Sequence, residues 1–212
     1  MTPRGGEGAV AVVLASASPR RAKLLAMLGI EFERIPANIR ELQLEGETPE
    51  EYVDRLAREK ALHVARSRPD ALVVGGDTVV VCGGRVLEKP SGPKEALRML
   101  SSLSGTRHRV LSGVAAVAGG VTASRVAVAY VTMRQLDTVS IEAYVATGES
   151  LDKAGGYGIQ GVGAIFVEQV EGDYFAVVGL SVAAFVEILP EVGLEYRIGS
   201  IARLGPSAGG TP

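Results

Sequence analysis

Two long β-rich stretches, Arg107–Val117 and Val121–Leu136, stand back to back and meet at Gly119-Gly120. A chain that carries such a pair has to build a sheet around it and cover that sheet with something else. The segments before the pair supply the cover. Val10–Ala15 is a short apolar run of strand type, Ser18 suits a helix cap, and Pro19 fits the first helical position. Glu31–Ile35 reads as a strand, and Pro49–Ser67 as a helix with Tyr52, Val53, Leu56 and Ala57 spaced for burial. Ala71–Val74 is an apolar run that ends in Gly75-Gly76-Asp77. Val79–Cys82 and Arg85–Glu88 flank Gly83-Gly84 as a hairpin, and Pro93–Leu103 is again helical.

After the long pair come a short helix over Ser140–Ala146 and the Gly-rich loop AGGYGIQGVG. A β-like run, Ala164–Val170, follows, then a Gly172-Asp173 turn, the apolar run Tyr174–Val178, and a helix capped by Ser181 that reaches about Leu189. Helices alternate with strands early and long strands pair late. The expectation is therefore a mixed α/β fold, not a uniformly doubly wound one. Residues 10–192 are expected to form one domain of two lobes, with flexible segments at 1–9 and 193–212.

A formal net charge of −2 argues against a chain that coats a nucleic-acid polymer. Cys82 is the only cysteine, which excludes an internal disulfide and a cysteine-based zinc site. The start MTPRGGEGAV has no sustained apolar segment of leader type, and no window approaches the roughly 20 apolar residues of a membrane span. A cytoplasmic soluble protein is the expectation.

The segment ASASPRRAKLL, Ala15–Leu25, puts Arg20, Arg21 and Lys23 at the start of a helix. Unpaired backbone N–H groups already make that end positive, so acidic residues are the usual choice there. Cations in their place call for an anion. Ser16, the backbone and the guanidinium groups of Arg20 and Arg21 are all suited to phosphate oxygens, although Ser18-Pro19 taken alone is an ordinary cap. In VVGGDTVV, Asp77 follows a buried strand and two glycines, a place where open α/β sheets bind ligands. A carboxylate there can orient water, hold a metal or simply make a turn. Lys60, Lys89 and Glu41 are each unremarkable alone.

Gly156, Gly158 and Gly161 spell G-x-G-x-x-G, the letters of a dinucleotide fingerprint. That fingerprint follows a strand and opens a helix, whereas here a helix and a loop precede it and a β-like run follows. A Rossmann site is rejected, and Gln160 is left as the one flexible polar reader on a loop that closely approaches a ligand. Cys82, His63 and His108 read as structural residues.

Taken in order, LASASPRR, LAREKA, GGDTVV, VLEKP, LSGTRHRV, LDKAGGYGIQG and VVGLSV closely resemble the Maf family of nucleoside triphosphate pyrophosphatases. The likeness runs from about Val12 to Leu189. It implies a long mixed twisted sheet with two α/β lobes around a cleft, as in the inosine triphosphate pyrophosphatases. It also implies hydrolysis of a nucleoside triphosphate to monophosphate and pyrophosphate with a divalent metal, Mg²⁺ or Mn²⁺. By position, Asp77 matches the catalytic acid, and Ser16, Arg21, Lys60 and Lys89 match phosphate-binding positions. Glu41, with Asp77, matches a metal-linked acid. Arg20, Thr78 and Gln160 resemble the branch that acts on dTTP and UTP, in house-cleaning of the nucleotide pool, and not the branch for 7-methyl-GTP. A homodimer is common among such enzymes. The other reading that the family suggests is a nucleotide-binding regulator linked to septum formation.

On this reading the anion among the cations is the substrate's triphosphate. Gln160 suits a pyrimidine edge, since its amide can accept from N3–H and donate to O4 of uracil or thymine, and the same amide flipped over can suit cytosine.

Overall fold

The structure, a computed structural model, describes residues 10–205. Strands β1 (Val12–Leu14), β2 (Glu33–Arg34), β3 (Leu72–Cys82), β4 (Arg85–Leu87), β5 (Arg107–Ala118), β6 (Val121–Met133) and β7 (Val167–Gly172) form a seven-stranded sheet. Its order is β2-β1-β3-β5-β6-β7, with β4 also paired to β3. β1 runs parallel to β2 and β3, and every pairing from β3 onward is antiparallel. The long pair expected from the sequence is the β5–β6 hairpin, in register from Arg107↔Thr132 to Ala118↔Val121.

β3 positions the site. One of its edges pairs with β5 from Val73 to Val81. The other edge pairs with β1 only at Leu72–Val74 and with β4 only at Val80–Cys82. Gly75–Val79 therefore faces a notch. β1 ends there because Ala15 makes a last bond to the Val74 carbonyl, at 2.8 Å, and the chain turns into α1 (Pro19–Met27). Ser18 caps that helix and Pro19 opens it, as the sequence suggests.

The sequence reading broke β3 after Val74 and put Asp77 at a strand end. Instead, β3 runs straight through Gly75-Gly76, and Asp77 sits in mid-strand at the notch. The glycines serve a close approach. A Cβ on Gly75 would lie 2.2 Å from the Ala57 carbonyl oxygen, and one on Gly113 2.3 Å from that of Val53. Both carbonyls belong to α2 (Pro49–Ala65), whose start is fixed by a capping box between Thr48 and Glu51. Gly113→Ala must push backbone away from backbone. It is expected to cost about 1–3 kcal/mol and to lower the melting temperature by roughly 2–4 °C per kcal/mol in a chain of this size. An unchanged melting curve would mean that α2 is free to back away.

α2 covers one face of the sheet. Its Tyr52, Val53 and Leu56 pack on Val79, Val81 and Leu111, while Ala57, Ala61 and Val64 pack on Val13, Val73 and Ala115. The other face carries two separate apolar clusters. In one, α1 and α6 (Val182–Ile188) bury Leu14, Leu25, Val74, Leu180 and Phe185. In the other, α3 (Pro93–Leu103) and α4 (Thr138–Ala146) bury Val80, Val110 and Val131.

Two further segments differ from the sequence reading. The Gly172-Asp173 turn opens a short helix, α5 (Tyr174–Val178), because Asp173 Oδ1 accepts from the N–H groups of Phe175 at 2.8 Å and Ala176 at 3.2 Å. The expected flexible tail from residue 193 is ordered through a hairpin, β8 (Leu194–Arg197) and β9 (Ser200–Arg203). Leu194 and Ile201 are buried beside Ile188, and the Val10 N–H donates to the Ile201 carbonyl at 3.0 Å. Residues 1–9 and 206–212, also expected to be flexible, lie outside the described residues. Among the described residues no helix is long and apolar enough to cross a membrane.

Candidate active site

A cleft of about 820 Å³ opens at the notch. Its lining includes every residue singled out in the sequence for this chemistry: Ser16, Arg20, Arg21, Glu41, Lys60, Asp77, Thr78, Lys89 and Gln160. They come from the start of α1, the loop before α2, α2 itself, β3, the end of β4 and the Gly-rich loop. Neighbours on a strand point to opposite faces, so Asp77 faces α2 and Thr78 faces α1 and α5. At the notch both reach the same cleft.

The contact of Gly75 with α2 brings Lys60 onto Asp77. Lys60 Nζ lies 2.7 Å from Asp77 Oδ1 and 2.8 Å from Glu41 Oε1. The side chains of Lys60 and Asp77 are each 8% exposed, against 42% for Glu41, so the pair is buried and Glu41 closes it from the solvent side. Two hard oxygen donors thus converge on one cation. A divalent ion fits this donor set when it takes its other ligands from phosphates and water, as Mg²⁺ habitually does. Among the described residues no group of three or more His, Cys, Asp and Glu side chains could hold an ion on its own.

Arg21 is the hub of the opposite wall. Its Nε donates to the Gly179 carbonyl at 2.8 Å, one terminal nitrogen to Ser16 Oγ at 3.2 Å, and the other to Thr78 Oγ1 at 3.1 Å. A guanidinium has five N–H donors, so two remain for a ligand. Burial lowers the Arg21 pKa from its ordinary value, opposed by the Asp77 charge across the cleft. Ser16 Oγ also accepts from the Ser18 N–H at 3.1 Å, which leaves its own proton to donate elsewhere. Lys89 is exposed on the rim and carries no ion pair among the described residues.

Arg20 does not sit free. It donates to Asp152 Oδ2 at 2.9 Å and to the Asp152 carbonyl at 3.1 Å, which ties the start of α1 to the turn before the Gly-rich loop. Asp152, Lys153 and Glu149 all line the cleft, as do Tyr52, Glu88 and Tyr157. The sequence reading gave none of these a role at the site. The Tyr52 hydroxyl donates to Glu88, the residue before Lys89, and burial followed by the Glu88 contact pushes the Tyr52 pKa up. Tyr157 meets buried His108, whose Nε2 is 2.7 Å from the tyrosine oxygen. Burial pushes the His108 pKa down to about 4, which agrees with a structural histidine. The signal that was present in the sequence is LDKAGG, a conspicuous run next to the Gly-rich loop.

The family model described as Maf-like protein matches residues 11–192 of this chain. The chain belongs to the Maf family. Within that family, a Moorella thermoacetica protein named dTTP/UTP pyrophosphatase is 52% identical over 189 residues, 87% of this chain and 96% of its own length. A Vibrio cholerae protein of the same name is 48% identical over 170 residues, 80% of this chain and 91% of its own length. Among solved structures, the Ham1 protein of Staphylococcus aureus has a partial likeness, with a TM-score of 0.41 and 14% identity over 57% of this chain and 71% of that one. The Maf match contains every cleft residue named above and stops short of the β8–β9 hairpin.

Proposed function

We propose that this Maf protein hydrolyses dTTP and UTP to the monophosphate and pyrophosphate, in the cytoplasm. The observation that carries the reading is the convergence of a buried Asp–Lys pair, two arginines, an exposed lysine and one amide reader on a single nucleotide-sized cleft. The names of its relatives point the same way.

In this mechanism the triphosphate lies along the notch, with its anionic oxygens toward the start of α1. Arg21, Ser16 and the helix N–H groups receive one end, and Lys60 and Lys89 neutralise the other. Asp77 takes a proton from the water that attacks the α,β-anhydride. Charge grows on the departing pyrophosphate, and fixed cations that already point at that position stabilise it without reorganising. Glu41 and Asp77 are the residues that would hold a divalent ion, which would supply further neutralisation of the phosphate charge. Thr78, held by Arg21 and the Gly179 carbonyl, sets the floor of the cleft on the α1 side.

The test is product identification with dTTP, UTP, CTP, GTP and 7-methyl-GTP in Mg²⁺ or Mn²⁺. Monophosphate plus pyrophosphate, fastest from dTTP and UTP, is expected. Diphosphate plus phosphate would overturn the bond assignment, and nucleotide binding without turnover would favour a regulator. Gln160→Ala is expected to raise the KM for UTP about tenfold, the equivalent of a lost hydrogen bond in a desolvated site, and to blunt the base preference. An unmoved preference removes Gln160 from the reader role.

A further inference from the structure

The Gly-rich loop has the letters of a phosphate-cradling fingerprint in the wrong place in the fold, and the structure shows what it cradles. The Glu149 carboxylate sits inside it. Oε2 accepts from the Val162 N–H at 2.8 Å and Oε1 from the Gly163 N–H at 3.3 Å. Oε1 also accepts from the Tyr144 hydroxyl at 3.1 Å, whose oxygen in turn accepts from the Gly158 N–H at 3.2 Å. The 162–163 end of the segment 158–163 therefore hangs on Glu149 directly and the 158 end through Tyr144, with Gln160 between them.

Gly161 leaves room for that carboxylate, and Gly158 and Gly163 leave room for Lys153 and Tyr144, which contact Glu149. A Cβ on Gly161 would lie 2.3 Å from Glu149 Oε1, and one on Gly158 would lie 2.6 Å from Lys153 Cε and 3.0 Å from Glu149 Oε1. One on Gly163 would meet the Tyr144 hydroxyl at 2.8 Å. Gly161 has φ −125°, a value open to any residue, so space and not backbone conformation demands glycine there. Burial would push the Glu149 pKa up, but the bonds from Val162, Gly163 and Tyr144, with the Lys153 charge, outweigh it and leave the pKa lowered.

Glu149 is itself anchored. It opens the 3-10 turn Glu149–Asp152, and its carbonyl accepts from Lys153 Nζ at 2.7 Å. Asp152, in the same turn, is the partner of Arg20 at the start of α1. The turn thus fixes the loop relative to the phosphate end of the cleft.

We propose that Glu149 is the positioning residue of the base-reading loop: its carboxylate is the internal anion around which residues 158–163 fold, and by holding Gln160 in place it determines which base the cleft accepts. This rests on the reading of Gln160 as the base reader. Glu149 touches no substrate in this scheme and should leave the phosphate end alone.

The experiment is steady-state kinetics on UTP and CTP, with pyrophosphate as an inhibitor that reports the phosphate end. Glu149→Ala is expected to raise the KM for UTP about tenfold, as for one charge-assisted hydrogen bond lost, and to bring the UTP and CTP specificity constants together. The pyrophosphate inhibition constant and kcat should hold. Glu149→Gln, which keeps one acceptor oxygen, should fall between Glu149→Ala and the parent. Gly161→Ala must expel the carboxylate and should reproduce Glu149→Ala. The double variant should be no worse than either alone, because the two changes remove the same contact. Should Glu149→Ala fail to fold, Glu149→Gln and Gly161→Ala carry the test. Parallel loss of UTP and pyrophosphate binding, an additive double variant, or an unmoved UTP-to-CTP ratio would overturn the proposal. Gln160→Ala separates the two claims. If it collapses the ratio and Glu149→Ala does not, the Glu149 role alone fails; if it leaves the ratio intact, the base reading fails and takes this proposal with it.

Discussion

Asp77→Asn is expected to cut UTP turnover by roughly a hundred- to ten-thousandfold, the range of a positioned general base. The substitution keeps the shape of the side chain. Its amide oxygen can still accept from Lys60, now 2.7 Å from Asp77 Oδ1, so β3, α2 and the buried contact between them should survive. What is lost is the proton acceptor. Affinity for a non-hydrolysable UTP analogue should hold or tighten, since a negative charge has left a cleft that binds an anion. The checks are single-turnover rates, equilibrium binding of the analogue and a melting curve. Turnover at the parent rate would remove Asp77 from the chemistry. Equal losses of binding and turnover would make it a ligand-holding residue instead.

The elements set by local chemistry were legible in the sequence. Ser18-Pro19 caps α1, α2 starts at Pro49 as expected, and Gly119-Gly120 turns the long hairpin. What was hidden depends on partners distant in sequence. Gly75-Gly76 looks like the end of a strand until α2 is seen pressing on Gly75 and Arg21 lying over Gly76, and only then does Asp77 move to mid-strand. Leu194 and Ile201 share their stretch with Ile198 and Leu204, which are exposed, and only the surface around Ile188 decides which of these apolar residues are buried. At the site, the residues singled out by the ordered motifs all line one cleft, and each carries a charge, a hydroxyl or an amide that a sequence displays directly. Glu149 escaped because its partners are backbone N–H groups, which have no letter in a sequence. The same letters G-x-G-x-x-G describe a loop around a phosphate or around a carboxylate, and only the fold separates the two.

Lys60→Met should be the most damaging single change to stability at the site. It removes the cation between two carboxylates, and it strands Asp77, whose side chain is 8% exposed, without a charged partner. Breaking a buried ion pair by deleting one member typically costs about 3–5 kcal/mol, most of it the penalty on the charge left behind. The Glu41 half contributes less, since that carboxylate is 42% exposed and regains water when released. The methionine chain fills the aliphatic path of the lysine along α2, so the loss is one of charge and not of volume. Turnover should fall as well, because the cation facing the leaving pyrophosphate has gone. Adding Asp77→Asn to Lys60→Met removes the stranded charge and should restore most of the lost melting temperature without restoring activity. Denaturant unfolding of the two single variants and the double variant supplies the cycle. If Lys60→Met melts like the parent, the 2.7 Å contact contributes nothing to stability. If the double variant is no more stable than Lys60→Met, the damage lies in the packing of α2 on β3, and the buried charge is not its cause.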